Sequence, residues 1–162
     1  MQNTTAFPAL QASAVWKLPF SRGELALALA AFARAAGMPG AQVELLLPGD
    51  KDMEALHAQS LGRRGPTNVL SFPLGAKRSS EPGKPGTAPL LGSLALSPDT
   101  LQRECLLYGQ DAKEHCIRLL AHGFAHLLGY EHGPDMERLC LCLEQAARSV
   151  LCLPETCAPA LP

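Results

Sequence analysis

Aromatic residues are scarce in this chain, 5% of 162 residues, so no ring-rich platform for stacking unpaired bases is expected. Neither sign of charge dominates: Lys and Arg number 14 against 15 Asp and Glu, a formal net charge of -1. That balance excludes a strongly basic protein that coats nucleic acid, although a local basic patch is compatible with it. Long hydrophobic runs are missing. The longest clearly apolar one, Leu25 to Ala33, stops after nine residues at Arg34, whereas a membrane-spanning helix needs about 20. The first 20 residues show no cationic stretch ahead of an apolar core. No signal peptide is therefore expected, and the cytoplasm is the expected compartment. No Cys-x-x-Cys pair occurs among the six cysteines, Cys105, Cys116, Cys140, Cys142, Cys152 and Cys157. Most sit in apolar, helix-like sequence, which fits buried free thiols better than a disulfide framework. Cys140 and Cys142 are two apart, a spacing that does not bring side chains together on a helix.

What is present suffices for a core. Apolar residues make up 47% and charged residues 18%, and the length is that of one ordinary domain. Gly and Pro, 14 each, imply substantial loops. A short edge strand is expected near Ala14 to Leu18. Ser21 and Glu24 have capping-box spacing, and Leu25, Leu29, Phe32 and Ala36 then recur at helical spacing up to Gly37. Gln42 to Leu47 reads as a strand, and Asp50 or Asp52 as the cap of a helix over Met53 to Ser60. Val69 to Phe72 is a short strand stopped by Pro73. Residues 74–88 form a long exposed loop, and Leu90 to Leu96 the next strand. Ser97-Pro98 opens a helix toward Tyr108. Asp111 caps a longer helix that ends at Gly129, and Pro134 starts a last helix running to Leu151. Strands fall early and helices late. The expected class is α+β, one domain over residues 1–153 with a small mixed sheet packed against helices, then a loose tail over 154–162.

Residues 122–132 carry the chemistry. Three of the five histidines lie there: His122, His126 and His132. A separation of four stacks His122 and His126 on one helix face, within reach of a single ion. Gly129 lets the chain leave the helix at positive φ, so that His132 can return beside them. Three neutral imidazoles suit one Zn²⁺ per chain, with the fourth tetrahedral position open. His57 and His115 lack this spacing, and His115 reads as a surface or half-buried residue. The long zinc-protease pattern H-E-x-x-H-x-x-G-x-x-H places a glutamate general base after the first histidine. This chain has Gly123 there. Glu131 could replace that base, and a metallopeptidase or other zinc hydrolase stays open on these residues.

His122-Gly-x-x-His126-Leu-x-Gly-Tyr-Glu-His132 resembles the signature of the YbeY endoribonuclease family of rRNA maturation factors, H-G-x-L-H-L-x-G-Y-D-H. A second block, Pro66-Thr67-Asn68-Val69-Leu70-Ser71-Phe72-Pro73, resembles that family's P-T-[DN]-V-L-S-F-P. A third, Leu90-Leu91-Gly92-Ser93, resembles its L-L-G-D, with Ser93 in place of the aspartate. The resemblance implies a small mixed sheet packed with helices and a three-histidine zinc site on a helix in a cleft. It implies an endoribonuclease acting on single-stranded RNA in ribosomal RNA maturation and ribosome quality control. The implied partners are ribosomal RNA or the ribosomal subunit, with ribosome-associated proteins and no membrane. The family commonly has an arginine five residues before the Pro of the second block. Here that position is Leu61, and Arg63 and Arg64 lie just beyond it.

Phosphodiester hydrolysis needs positive charge where negative charge develops, and arginine is the best bidentate partner of phosphate oxygens. Arg63 and Arg64 are the candidate phosphate clamp, inside a stretch that also holds Lys77, Arg78 and Lys84 against Glu81. Ser71 is a candidate substrate contact if its strand lies beside the metal helix. Glu137 and Glu144 are expected to be solvated or to support a histidine. A third reading, from a different class, is a non-catalytic ribosome-assembly factor with a structural metal.

Overall fold

The computed structural model describes residues 18–65, 67–75 and 89–154. Within them the chain forms α1 (Arg22–Ala35), β1 (Gln42–Leu46), α2 (Asp50–Leu61), β2 (Val69–Pro73), β3 (Leu90–Leu96), α3 (Pro98–Tyr108), α4 (Ala112–Leu127) and α5 (Pro134–Leu151). The class is α+β, as expected. The expected strand at 14–18 falls outside the described residues except for Leu18, as do 76–88 of the long loop and 155–162 of the tail.

Helix starts follow local chemistry. At α1 the Ser21 N–H donates to Glu24 Oε2 at 2.7 Å and the Glu24 N–H to Ser21 Oγ at 3.3 Å, which satisfies two orphan donors reciprocally. Ser97 Oγ accepts the Thr100 N–H at 3.1 Å ahead of Pro98. Asp111 Oδ1 accepts the N–H groups of Lys113 and Glu114 at 2.9 and 3.0 Å. α2 differs from expectation. It begins at Asp50 itself, with Gly49 as a cap that has no side chain to offer. Capping comes from outside, since the Asp50 N–H donates to Asp99 Oδ2 at 3.2 Å. The Asp50 carboxylate instead receives the Arg103 guanidinium at 2.6 and 3.0 Å. Tertiary contacts have taken over the role assigned to a local cap.

The sheet is mixed, in the order β1-β3-β2. β1 runs parallel to β3 and β2 antiparallel to it, with Leu45 and Ser71 both opposite Leu94. β2 is therefore an outer strand. Alternation along the strands separates two cores. Leu45, Leu94 and Leu96, with Val43 and Val69 against them, pack into the larger cluster with Phe32 of α1, Ile117, Leu120 and Phe124 of α4, and Leu143 of α5. Leu70 and Ala95, with Leu46 and Phe72, meet Met53 and Leu56 of α2 on the opposite face. Thus α1, α4 and α5 belong to one side of the sheet and α2 to the other. Phe32 and Phe124 meet edge to face, centroids 5.5 Å apart, which reinforces the burial between α1 and α4.

The cysteines described are free. Cys116 is buried in the core, which pushes its thiol up to about 12. Cys142 and Cys152 are exposed, contrary to the expectation of burial, because the first faces out of α5 and the second caps its end.

β3 makes room for its neighbour at Gly92. Its φ is +150°, and a Cβ there would stand 2.2 Å from the Phe72 carbonyl oxygen. The β1–β3 register also slips here, between Gln42 and Val43. Gly92→Ala is expected to cost about 2–4 kcal/mol from the clash and backbone strain, read as a lowered urea midpoint. An unchanged midpoint would show that the β2–β3 pair does not need this close approach.

Candidate metal centre

α4 is the most deeply packed helix. Cys116, Ile117, Leu120, Ala121, Phe124 and Ala125 are fully buried, so its orientation is set by the core. Its outer stripe is then fixed as well, and His122 and His126 project from it one turn apart. Gly123 lies against the sheet. A Cβ on it would stand 2.9 Å from Leu94 Cδ2, 3.0 Å from Val69 Cγ2 and 3.2 Å from Ser71 Oγ. The Ser71 hydroxyl donates to the Gly123 carbonyl at 2.9 Å. β2 and the histidine-bearing turn of α4 are thus locked together where one side chain is missing.

The third histidine arrives through the turn after α4. Gly129 has φ +87°, and the Tyr130 N–H donates back to the Ala125 carbonyl at 3.1 Å. This folds the chain over and returns His132 to the stripe. The three imidazole centroids are 4.8, 4.8 and 5.2 Å apart. One ligand nitrogen from each lies within 4.8 Å of the others, and Nε2 of His122 and Nε2 of His132 are 3.4 Å apart.

The donor set fits a metal ion. Two nitrogens about 2.0–2.1 Å from a tetrahedral ion are about 3.3 Å from each other, close to the spacing of His122 and His132. His126 Nδ1 lies 2.9 Å from the Tyr130 carbonyl oxygen. A carbonyl can only accept, so Nδ1 carries the proton and the neutral ring keeps its lone pair on Nε2. Burial, reinforced by the neighbouring His126 and His132, lowers the pKa of His122. That favours the neutral, ligating form.

The histidines border a cleft of about 880 Å³. One wall is β2 with Thr67 and Asn68 before it. The other is α4, through Arg118, Leu119, His122 and His126, with His132 beside them. Ser60 and Leu61 of α2 complete the lining. Among the described residues no carboxylate lines this cleft, and Arg118 is its one guanidinium. Sequence reasoning passed over Arg118. The available signal was its position four residues before His122, the same helical step that separates His122 from His126.

Ser71 lines the cleft, with its hydroxyl proton committed to Gly123. Arg63 and Arg64 are exposed in the segment after α2 and are not among the lining residues. Lys77, Arg78, Glu81 and Lys84 fall outside the described residues. Glu131 is exposed and borders a separate shallow depression with Tyr130 and Asp135. Ser93 bonds Glu44 Oε2 at 2.7 Å on the α2 side of the sheet, away from the histidines. Glu144 is buried with Arg148 rather than beside a histidine, whereas Glu137 is exposed. His115 differs from expectation. It is buried, with Nε2 2.6 Å from Glu104 Oε2, and the Asn68 amide donates to the same carboxylate at 3.1 and 3.3 Å.

Comparison with known proteins agrees with this geometry. The family described as Endoribonuclease YbeY matches residues 22–148. The chain is 43% identical to "Endoribonuclease YbeY" of Nitratidesulfovibrio vulgaris over 145 residues, 83% of this chain and 87% of that protein. It is 39% identical to the protein of the same name in Oleidesulfovibrio alaskensis, covering 80% and 84%. A solution structure from Thermotoga maritima shares the fold, with a TM-score of 0.56 at 17% identity, covering 90% of this chain and 97% of that one. With a family match that takes in β1 to β3 and all three histidines, this chain belongs to the YbeY endoribonuclease family.

Proposed function

We propose that this chain is a zinc-dependent endoribonuclease that hydrolyses single-stranded RNA, acting in the cytoplasm in ribosomal RNA maturation and ribosome quality control. Its substrate is ribosomal RNA, free or within a ribosomal subunit, and ribosome-associated proteins are its expected company. The observation that carries the reading is the meeting of His122, His126 and His132 in an open cleft whose described lining holds an arginine and no carboxylate. A polyanion entering it meets attraction and no fixed negative charge. The relatives' name, Endoribonuclease YbeY, supports the same chemistry. No helix among the described residues is long and apolar enough to cross a membrane.

His122, His126 and His132 would hold one zinc ion. When bound, zinc supplies Lewis acidity at a phosphoryl oxygen and brings the acidity of water toward neutrality. The chain's own groups prepare the site. The Tyr130 carbonyl fixes the His126 ring and its tautomer. Burial lowers the pKa of His122, which favours its neutral form. Leu119 and Val69 make part of the cleft wall apolar, which strengthens electrostatic contacts beside it. Ser71, its proton held by Gly123, keeps lone pairs that can accept from a ribose hydroxyl. Arg63 and Arg64, exposed two and three residues beyond the cleft-lining Leu61, would meet phosphates of the chain outside the cleft. Peptide hydrolysis fits less well. The zinc-protease pattern needs a glutamate at residue 123, where this chain has Gly123, and a Cβ there would press on Leu94 Cδ2 at 2.9 Å and Val69 Cγ2 at 3.0 Å.

The zinc-loaded protein is expected to cut single-stranded RNA and to leave casein intact. His126→Ala, purified identically to control for contaminating nucleases, should lose activity on the order of 10²-fold or more. Equal cleavage by that variant would refute the assignment. Zinc affinity, measured by competition with a chromophoric chelator, should fall as pH drops below the ordinary histidine pKa of about 6.5, because protons and metal compete for the same nitrogens. A pH-independent affinity would place the metal elsewhere. Gly123→Glu, which restores the protease residue, should lower the thermal midpoint and create no peptidase activity. A stable variant that digests casein would reverse that conclusion.

A further inference from the structure

The proposed ribonuclease reading leaves Arg118 without a role, and on that reading we propose that Arg118 is the residue of the cleft that grips a backbone phosphate of the RNA. Its position is determined by the same packing that fixes the histidines. Arg118, His122 and His126 are successive members of one i, i+4 row on α4, each about 6 Å further along the axis. Arg118 thus lies one step of this row before His122 and lines the same cleft. It meets a phosphate flanking the bond that is cut, not the reacting group itself.

Among the described residues the guanidinium has no hydrogen-bonded or ion-paired partner. Arg103, Arg138 and Arg148 each have a carboxylate partner. For Arg118 the described residues show only a through-space attraction to Glu144, a carboxylate already bonded by Arg148 at 3.3 Å. The side chain is exposed and lines the cleft opposite β2. A flexible cation with five donors, bordering a cleft that holds no other fixed positive side chain among the described residues, is suited to bidentate capture of phosphate. Arg118 is thus a substrate-binding residue that sets where the RNA lies along α4. It takes no part in bond cleavage.

The test uses the full-length chain with wild-type, Arg118→Ala, Arg118→Gln and Arg118→Lys sequences. Binding of a fluorescent 12-nucleotide oligouridylate is followed by anisotropy from 25 to 200 mM salt after chelation, and cleavage kinetics are measured with zinc present. Loss of one phosphate contact should weaken binding about tenfold at low salt. It should also make the slope of log K against log[salt] shallower by about 0.7. The alanine and glutamine variants should both show this, with KM raised and kcat little changed, and lysine should restore the slope. A merely structural arginine would not move the salt slope. If wild type binds and cuts RNA while the alanine and glutamine variants keep its affinity and slope, the Arg118 proposal alone is wrong. If wild type neither binds nor cuts RNA, the ribonuclease reading falls and this proposal with it.

Discussion

The site depends on how closely α4 can approach the sheet. At Gly123 the backbone of the helix comes so near β2 and β3 that a single methyl would touch Leu94, Val69 and Ser71 at or below 3.2 Å. The contact is deep in the molecule, yet it determines the surface. With Gly123 seated on the strands and Phe124 against Phe32, the rotation of α4 about its axis is no longer free. His122 and His126 must then face the groove beside β2. The Ser71–Gly123 hydrogen bond adds direction to a contact that packing alone would leave approximate.

The same contact explains how a metalloprotease-like histidine spacing can belong to another chemistry. A glutamate after the first histidine would need the volume that Leu94 and Val69 occupy. The histidine spacing constrains only the outward face of a helix, and the inward face is free to follow the sheet behind it. Two proteins can therefore share three ligands at the same intervals and differ in whether a carboxylate fits among them. In this chain the cleft is left with arginine, imidazole, hydroxyl and amide groups along its described lining. That is an electrostatic surface for an anion.

Much of this was legible in the residues. Ser21 with Glu24, Ser97 before Pro98, and Asp111 marked helix starts correctly because each cap is a local bond within three residues. The histidine triad was legible because two members share a helix face and the third follows a glycine turn. What local spacing does not carry is long-range. α2 starts three residues ahead of the expected helix because Asp99, 49 residues away, caps it. His115 is buried with its Nε2 against Glu104, a carboxylate that Asn68 bonds from another element. Arg118 keeps the helical step of four before His122, but that spacing alone does not show that it lines a cleft with β2. Arg63 and Arg64 stand beside a motif in the sequence; they are exposed in the segment after α2 and are not among the described lining residues.

The turn after α4 has one further consequence. The Tyr130 carbonyl holds the His126 ring, the Tyr130 N–H is anchored on Ala125, and two residues later the same peptide run delivers His132. One donor is thus delivered by the bend, and a second, on the last turn of α4, is held by it. A lesion in that bend would cost both together, so the trio should assemble or dissolve as a unit, with little population of a half-built nest.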